Sequence, residues 1–234
     1  MTMKTGTLTI NTPDGKFSAY AAYPDNTPAP AIVVMQEIFG VNKVMRDICD
    51  SLARQGFVAV CPDLFWRIQP GIDITDQTEE EWKQAFGYFQ AFDVDAGIRD
   101  VQATITHVRN MDETTGKVGT VGYCLGGKLA YLSATRTDTD AAVGYYGVGL
   151  DALLDEAGNI AVPLMLHIAT EDGFVPKDAQ KKVHEALDKN THVTLHDYVG
   201  NDHAFARVGG AHYDAEAAKL ANGRTATFFN NHLG

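Results

Sequence analysis

The chain has 234 residues, 45% of them hydrophobic and 21% charged, which excludes a disordered composition and leaves room for one substantial core. A formal net charge of -11 argues against nucleic acid or an anionic membrane as a partner, because both would be repelled on average. An anionic small molecule stays open, since one cation in a dry pocket outweighs a global charge that salt screens beyond roughly 8 to 10 Å.

Met1–Pro13 carries neither a basic start with an apolar stretch nor a small-residue cleavage site, and no later run approaches membrane-spanning length. A cytoplasmic location is therefore expected. Thr7 to Ile10 and Phe17 to Tyr23 read as two strands around an Asp14-Gly15 hairpin turn. Ala31 to Gln36 is a continuous apolar run suited to a strand covered on both faces. Val44 to Gln55 has helical spacing and stops at Gly56, and Phe57 to Cys61 returns as a strand.

The interval Pro62 to Thr78 interrupts this alternation with Pro70-Gly71 and little periodicity. It follows the carboxyl end of a strand, the side on which open α/β sheets bind ligands, and reads as a lid or binding loop. The helix expected over Glu79 to Gln90 puts Trp82, Phe86 and Phe89 on one face, where they either wall an apolar pocket or pack the helix down. Beyond it, helices are expected over Ile98 to Val108, Leu125 to Ala134, Lys177 to Leu187 and Ala215 to Phe229. Strands are expected over Lys117 to Gly122, Ala141 to Tyr146, Val162 to Ile168 and His192 to Tyr198. This order implies a mostly parallel sheet with helices on both faces, in a single domain over residues 1–234 without repeat or linker.

The three cysteines, Cys49, Cys61 and Cys124, are too few and too scattered for a disulfide framework or a zinc site, and read as free thiols. No metal is expected. Gly122-Tyr123-Cys124-Leu125-Gly126-Gly127 repeats the nucleophile-elbow pattern of the α/β-hydrolase fold with cysteine in place of serine, between an expected strand and an expected helix. Its flanking glycines suit a sharp turn, and a helix N-terminus favours a thiolate. An inert thiol in a glycine-rich turn would look the same, so the partners decide. This fold delivers nucleophile, acid and histidine in that order. Asp172, in Thr170-Glu171-Asp172-Gly173, and His203, in Gly200-Asn201-Asp202-His203, each follow an expected strand in that order. Cysteine would attack, histidine would handle its proton and aspartate would fix the imidazole tautomer. The other seven histidines, His167, His184, His192 and His196 among them, read as structural or solvated.

Oxyanion donors are expected from the amide after the nucleophile, Leu125, and from the loop after the third strand, Gln36-Glu37-Ile38-Phe39-Gly40, at Ile38. Glu37 is unexpected there, because its carboxylate would repel developing negative charge. It needs a cationic partner or a hydrogen-bonding role toward thiol or substrate.

With Gln36-Glu37-Ile38-Phe39-Gly40, Val121 to Gly127, Val143-Gly144-Tyr145-Tyr146-Gly147-Val148-Gly149 and His203-Ala204-Phe205-Ala206-Arg207 in view, the chain resembles the dienelactone hydrolase (carboxymethylenebutenolidase) family over almost its whole length. The resemblance implies hydrolysis of a cyclic enol-lactone in aromatic catabolism without a cofactor. It makes Cys124, Asp172 and His203 the triad, Glu37 a modulator of the thiol, and Arg207 a carboxylate binder; Phe39, Trp82 and Phe86 are further substrate-binding candidates of this chain. It also implies an arginine and a tyrosine on the helix after the loop and a serine after the histidine, where this chain has Trp82, Phe86 and Ala204. A broader carboxylesterase or thioesterase for apolar acyl groups stays open for that reason. So does a non-catalytic ligand binder or thiol redox sensor, although such a sensor needs no carboxylate-oriented base. The expected partner is a small ester or lactone, and a monomer is the default.

Overall fold

A computed structural model describes residues 4–234, so the first three residues of the Met1–Pro13 segment lie outside it. The chain divides into two compact units, one running through Thr120 and the other spanning Val121–Gly234.

In the first unit, β1 (Lys4–Thr12) and β2 (Gly15–Tyr23) form the hairpin that Asp14-Gly15 predicts, with Thr12 opposite Gly15 and Lys4 opposite Tyr23. β2 runs antiparallel to β4 (Val58–Pro62), and β4 parallel to β3 (Ala29–Met35), where Ala31 faces Val58. β4 is buried along its whole length and β3 everywhere except Pro30, which is why both read as unbroken apolar runs. Helix α1 (Lys43–Arg54) starts at Asn42, whose side chain accepts the Met45 amide at 3.2 Å, and buries Met45, Cys49, Leu52 and Ala53. Helix α2 (Glu79–Ala91) begins with a capping box: Thr78 accepts the Glu81 amide at 3.2 Å while its own hydroxyl meets the Glu81 carboxylate at 3.1 Å.

Helix α3 (Val94–Arg109) begins a turn earlier than the sequence pattern suggests. Gly97 sits in that first turn because a Cβ there would lie 2.2 Å from the Phe92 ring, so the residue that argues against helix is required by packing. The irregular segment after β4 is firmly held. Asp63 accepts the amides of Phe65 and Gly71, Leu64 and Phe65 are buried, and Gly40 bridges Asp73. A Cβ on Gly40 would meet the Ile72 carbonyl oxygen at 1.9 Å, so this glycine admits the returning segment.

Asp100 of α3 is wholly buried and receives Arg67 through Nε at 2.9 Å and a terminal nitrogen at 2.8 Å, with Trp66 Nε1 at 2.8 Å. Arg67→Ala would leave that buried carboxylate without its cation and should cost about 3 to 5 kcal/mol in urea unfolding. Asp14→Ala, which removes only the exposed partner of the same guanidinium, should cost about 1 kcal/mol or less.

Strand β5 is Thr114–Tyr123, and the strands before it follow the order β1-β2-β4-β3. In the second unit, β6 (Ala141–Tyr145), β7 (Leu164–Ala169) and β8 (Val193–Tyr198) are parallel, with Ala142 facing Leu164 and Leu164 facing Val193. Helices α4 (Leu125–Arg136), α5 (Lys177–Leu187) and α6 (Ala215–Leu233) complete it. Two short 3-10 turns, Leu150–Ala152 and Leu154–Asn159, fill the β6 to β7 connection. The sheet is mostly parallel, as its alternating elements imply. Among the described residues no helix is long and apolar enough to cross a membrane.

Candidate active site

Cys124 is the single residue between β5 and α4, at φ 57° and ψ -112°. A positive φ costs a residue with a Cβ on the order of 1 to 3 kcal/mol, so surrounding structure must impose it. Its amide donates to the Tyr145 carbonyl at 3.1 Å, and its carbonyl accepts the Lys128 amide at 3.2 Å. The neighbouring glycines are obligatory: a Cβ on Gly122 would lie 1.9 Å from the Gly126 carbonyl oxygen, and one on Gly127 would lie 2.5 Å from that of Tyr145. The turn leaves Cys124 half-buried at the N-terminus of α4, while Leu125, Gly126 and Gly127 are buried behind it. Cys49 and Cys61 are wholly buried, and burial pushes the Cys49 thiol well up, so neither competes as a nucleophile. Lys128, one turn into α4, has its amine pushed down by burial, partly offset by the nearby thiol.

Asp172 and His203 lie in the loops after β7 and β8, and both are buried. Asp172 Oδ2 is 2.8 Å from His203 Nδ1, and Asp172 Oδ1 accepts the Phe174 amide at 2.8 Å. Cys124 is a side-chain neighbour of His203. Burial disfavours the imidazolium, but the Cys124 charge and the Asp172 hydrogen bond outweigh it and push His203 up to about 10. Relative to an ordinary value of 6.5, this interaction stabilises the fold fully below pH 6.5 and is lost as the pH rises through about 10. The arrangement can hold an imidazolium beside Cys124, oriented by the Asp172 carboxylate.

Backbone strain gathers here. Among the described residues the non-glycine positions with positive φ are Cys124, Tyr146 and Ala204. Tyr146 meets the His203 ring edge-on at 5.1 Å between centroids, and Ala204 follows His203 directly. Two features near His203 escape sequence reasoning. Phe174, half exposed, sets its ring against the imidazole at 4.9 Å, and Asp202 bonds to both the Asp172 and His203 loops. Arg207 is buried rather than solvated. Its amide closes a turn onto the Ala204 carbonyl at 2.9 Å. His167, inside β7, is a core histidine bonded to Tyr198 and Thr225.

The remaining candidates belong to the first unit. Gln36, Glu37, Ile38 and Phe39 are buried in the turn after β3, and Gln36 accepts the Leu64 amide. Trp82 and Phe86 stack at 5.6 Å, and Trp82 meets Phe39 edge-on at 5.1 Å. The buried residues of α2 are Ala85 and Tyr88, while Trp82 and Phe89 are partly buried and Phe86 is exposed. Among the described residues no three metal-ligating side chains cluster.

The sequence profile of the dienelactone hydrolase family matches residues 17–233. A protein of Azospirillum brasilense named "Putative carboxymethylenebutenolidase" is 53% identical over 223 residues, spanning 94% of this chain and 96% of that one. The carboxymethylenebutenolidase of Pseudomonas putida is 43% identical over 227 residues, spanning 97% and 96%. A crystal structure from Klebsiella pneumoniae, named "Putative Dienelactone Hydrolase", superimposes with a TM-score of 0.85 at 26% identity over 98% of this chain and 99% of that one.

Proposed function

Since the chain belongs to the dienelactone hydrolase family and is a hydrolase, we propose that it opens a small enol-lactone through Cys124, with His203 and Asp172 as its proton-handling pair. The observation that carries this reading is the buried 2.8 Å bond between Asp172 Oδ2 and His203 Nδ1, with Cys124 a neighbour of that imidazole and held at positive φ in the turn between β5 and α4. The thiolate attacks the lactone carbonyl, and the tetrahedral oxyanion is received by the Leu125 and Ile38 amides. As the ring carbon–oxygen bond breaks, His203 donates its proton to the departing enol oxygen and a thioester remains on Cys124. His203, now neutral, takes a proton from water, whose hydroxyl replaces the sulfur and regenerates the thiolate–imidazolium pair. Asp172 stays ionised and holds the ring throughout.

Glu37 is assigned to modulation of the thiol, and Phe39, Trp82 and Phe86 to an apolar wall for the substrate. The chain is read as a single α/β-hydrolase domain, which a family match running through both units supports. Its net charge supports a small-molecule partner rather than nucleic acid or an anionic membrane, and a cytoplasmic monomer is the simplest working state.

Arg207 is assigned as the remaining carboxylate anchor, since Trp82, Phe86 and Ala204 offer no polar side-chain group able to bind a carboxylate beyond the Trp82 N–H, which is spent on the Asp76 carbonyl. The purified protein should hydrolyse a carboxylate-bearing enol-lactone, followed by loss of its ultraviolet absorbance. Arg207→Ala should lower kcat/KM on that lactone by roughly tenfold to a hundredfold more than on a neutral aryl ester, the worth of one charge-assisted hydrogen bond. Equal losses on both substrates would overturn the acid-anchoring role, and no lactone hydrolysis by the parent protein would overturn the substrate class.

A further inference from the structure

Asp202 carries no role in the chemistry above, yet it touches both loops that supply the Asp172 and His203 side chains. Its Oδ1 accepts the Gly173 amide at 2.9 Å and the His203 amide at 2.6 Å, so one carboxylate oxygen joins the residue after Asp172 to His203 itself. The same two loops meet a second time where the Glu171 amide donates to the Asn201 carbonyl at 2.8 Å. The other oxygen, Oδ2, lies 3.4 Å from His212 Nδ1, and that nitrogen is also 3.2 Å from the His203 carbonyl. Asp202 and His212 thus form a second, part-exposed aspartate–histidine pair wrapped around the backbone of the buried one.

From this geometry we infer that Asp202 is a positioning residue for the hydrolysis: its carboxylate clamps the two loops so that Asp172 and His203 are held at bonding distance, with His212 closing the clamp from outside. The inference rests on the proposed roles of Cys124, Asp172 and His203. The need for a clamp follows from the local backbone. His203 is followed by Ala204 at φ 62°, a conformation an alanine adopts only under constraint, and the short Asp202 bond to the His203 amide lies immediately before it. An imidazole displaced by a fraction of an ångström loses alignment with Asp172 and with the thiol together. The charged groups around Asp202 are His203 and His212, which favour its ionised form, and Glu171, which opposes it and is itself paired with Lys177.

The test compares Asp202→Ala with Asp202→Asn on a neutral aryl ester, alongside Cys124→Ala. Asparagine keeps the Oδ1 acceptor for both amides, whereas alanine removes it. Asp202→Ala should lower kcat roughly tenfold to a hundredfold with KM changed less than about threefold, and Asp202→Asn should recover kcat to within about threefold of the parent. Circular dichroism reports whether each variant is folded, and iodoacetamide reactivity of Cys124 adds a local check in the two Asp202 variants. A folded Asp202→Ala variant with parental kcat would overturn the clamp. So would an Asp202→Asn variant as impaired as alanine, since rescue by the remaining acceptor is what the clamp requires. An active Cys124→Ala variant would instead overturn the nucleophile on which the inference rests, and the two failures are separable.

Discussion

Replacing Cys124 with alanine should lower kcat by a factor on the order of 10⁴ or more, because a nucleophile removed from a triad takes most of the rate with it and leaves only oxyanion stabilisation and binding. Alanine is the informative replacement, since it also bears a Cβ and meets the same positive φ at position 124 without adding a new steric conflict. The fold should be retained, because the half-buried thiol is not part of the core and the Tyr145 and Lys128 backbone bonds do not involve it. Serine at the same position should remain strongly impaired: its hydroxyl stays protonated, so His203 loses the thiolate charge that helps hold its proton. Steady-state rates with a melting curve check this, and a folded alanine variant within tenfold of the parent would exclude Cys124 as nucleophile.

Asp172→Asn should cost about 10³ to 10⁴ in kcat with little loss of structure, by inverting the tautomer of His203. The two Asp172 oxygens have separate duties: Oδ1 accepts the Phe174 amide and Oδ2 faces His203 Nδ1. In asparagine the remaining oxygen stays with the Phe174 amide, which turns the new amino group toward Nδ1. Nδ1 then becomes an acceptor, and the neutral ring carries its proton on Nε2, the nitrogen left to face Cys124. Removing the carboxylate also lowers the His203 pKa, so the alkaline loss of the acylation rate should move below its parental position near pH 10. Glu171→Gln is the control. Glu171 is exposed and paired with Lys177, and its replacement should leave both the rate and the pH profile near those of the parent. Near-normal kcat in Asp172→Asn would exclude Asp172 as the orienting acid.

The succession of strands and helices was readable because buried parallel strands such as β4 are apolar throughout, and because Gly56 marks the end of a helix through local chemistry. The placement of Cys124, Asp172 and His203 after β5, β7 and β8 was readable because strand ends are marked in the local sequence. Other features depend on contacts between distant residues. Arg67, Asp100 and Asp202 are ordinary charged residues until the chain folds and brings the first two together and the third to the Gly173 amide. Asp202 in particular looks like a turn residue in Gly200-Asn201-Asp202. In α2, period alone gives Trp82, Phe86 and Phe89 as a stripe, whereas its buried residues are Ala85 and Tyr88. Gly97 hides the first turn of α3 because its need for space is set by Phe92.

The most direct measurement is rapid acid quenching of the enzyme during turnover of an aryl ester, followed by intact mass and peptide mapping. The expected result is an acyl mass on the peptide containing Cys124, released by hydroxylamine as a thioester and missing from the Cys124→Ala variant. An acyl group carried by a different residue, or unimpaired turnover by protein fully alkylated at Cys124, would contradict a thiol nucleophile at the head of α4.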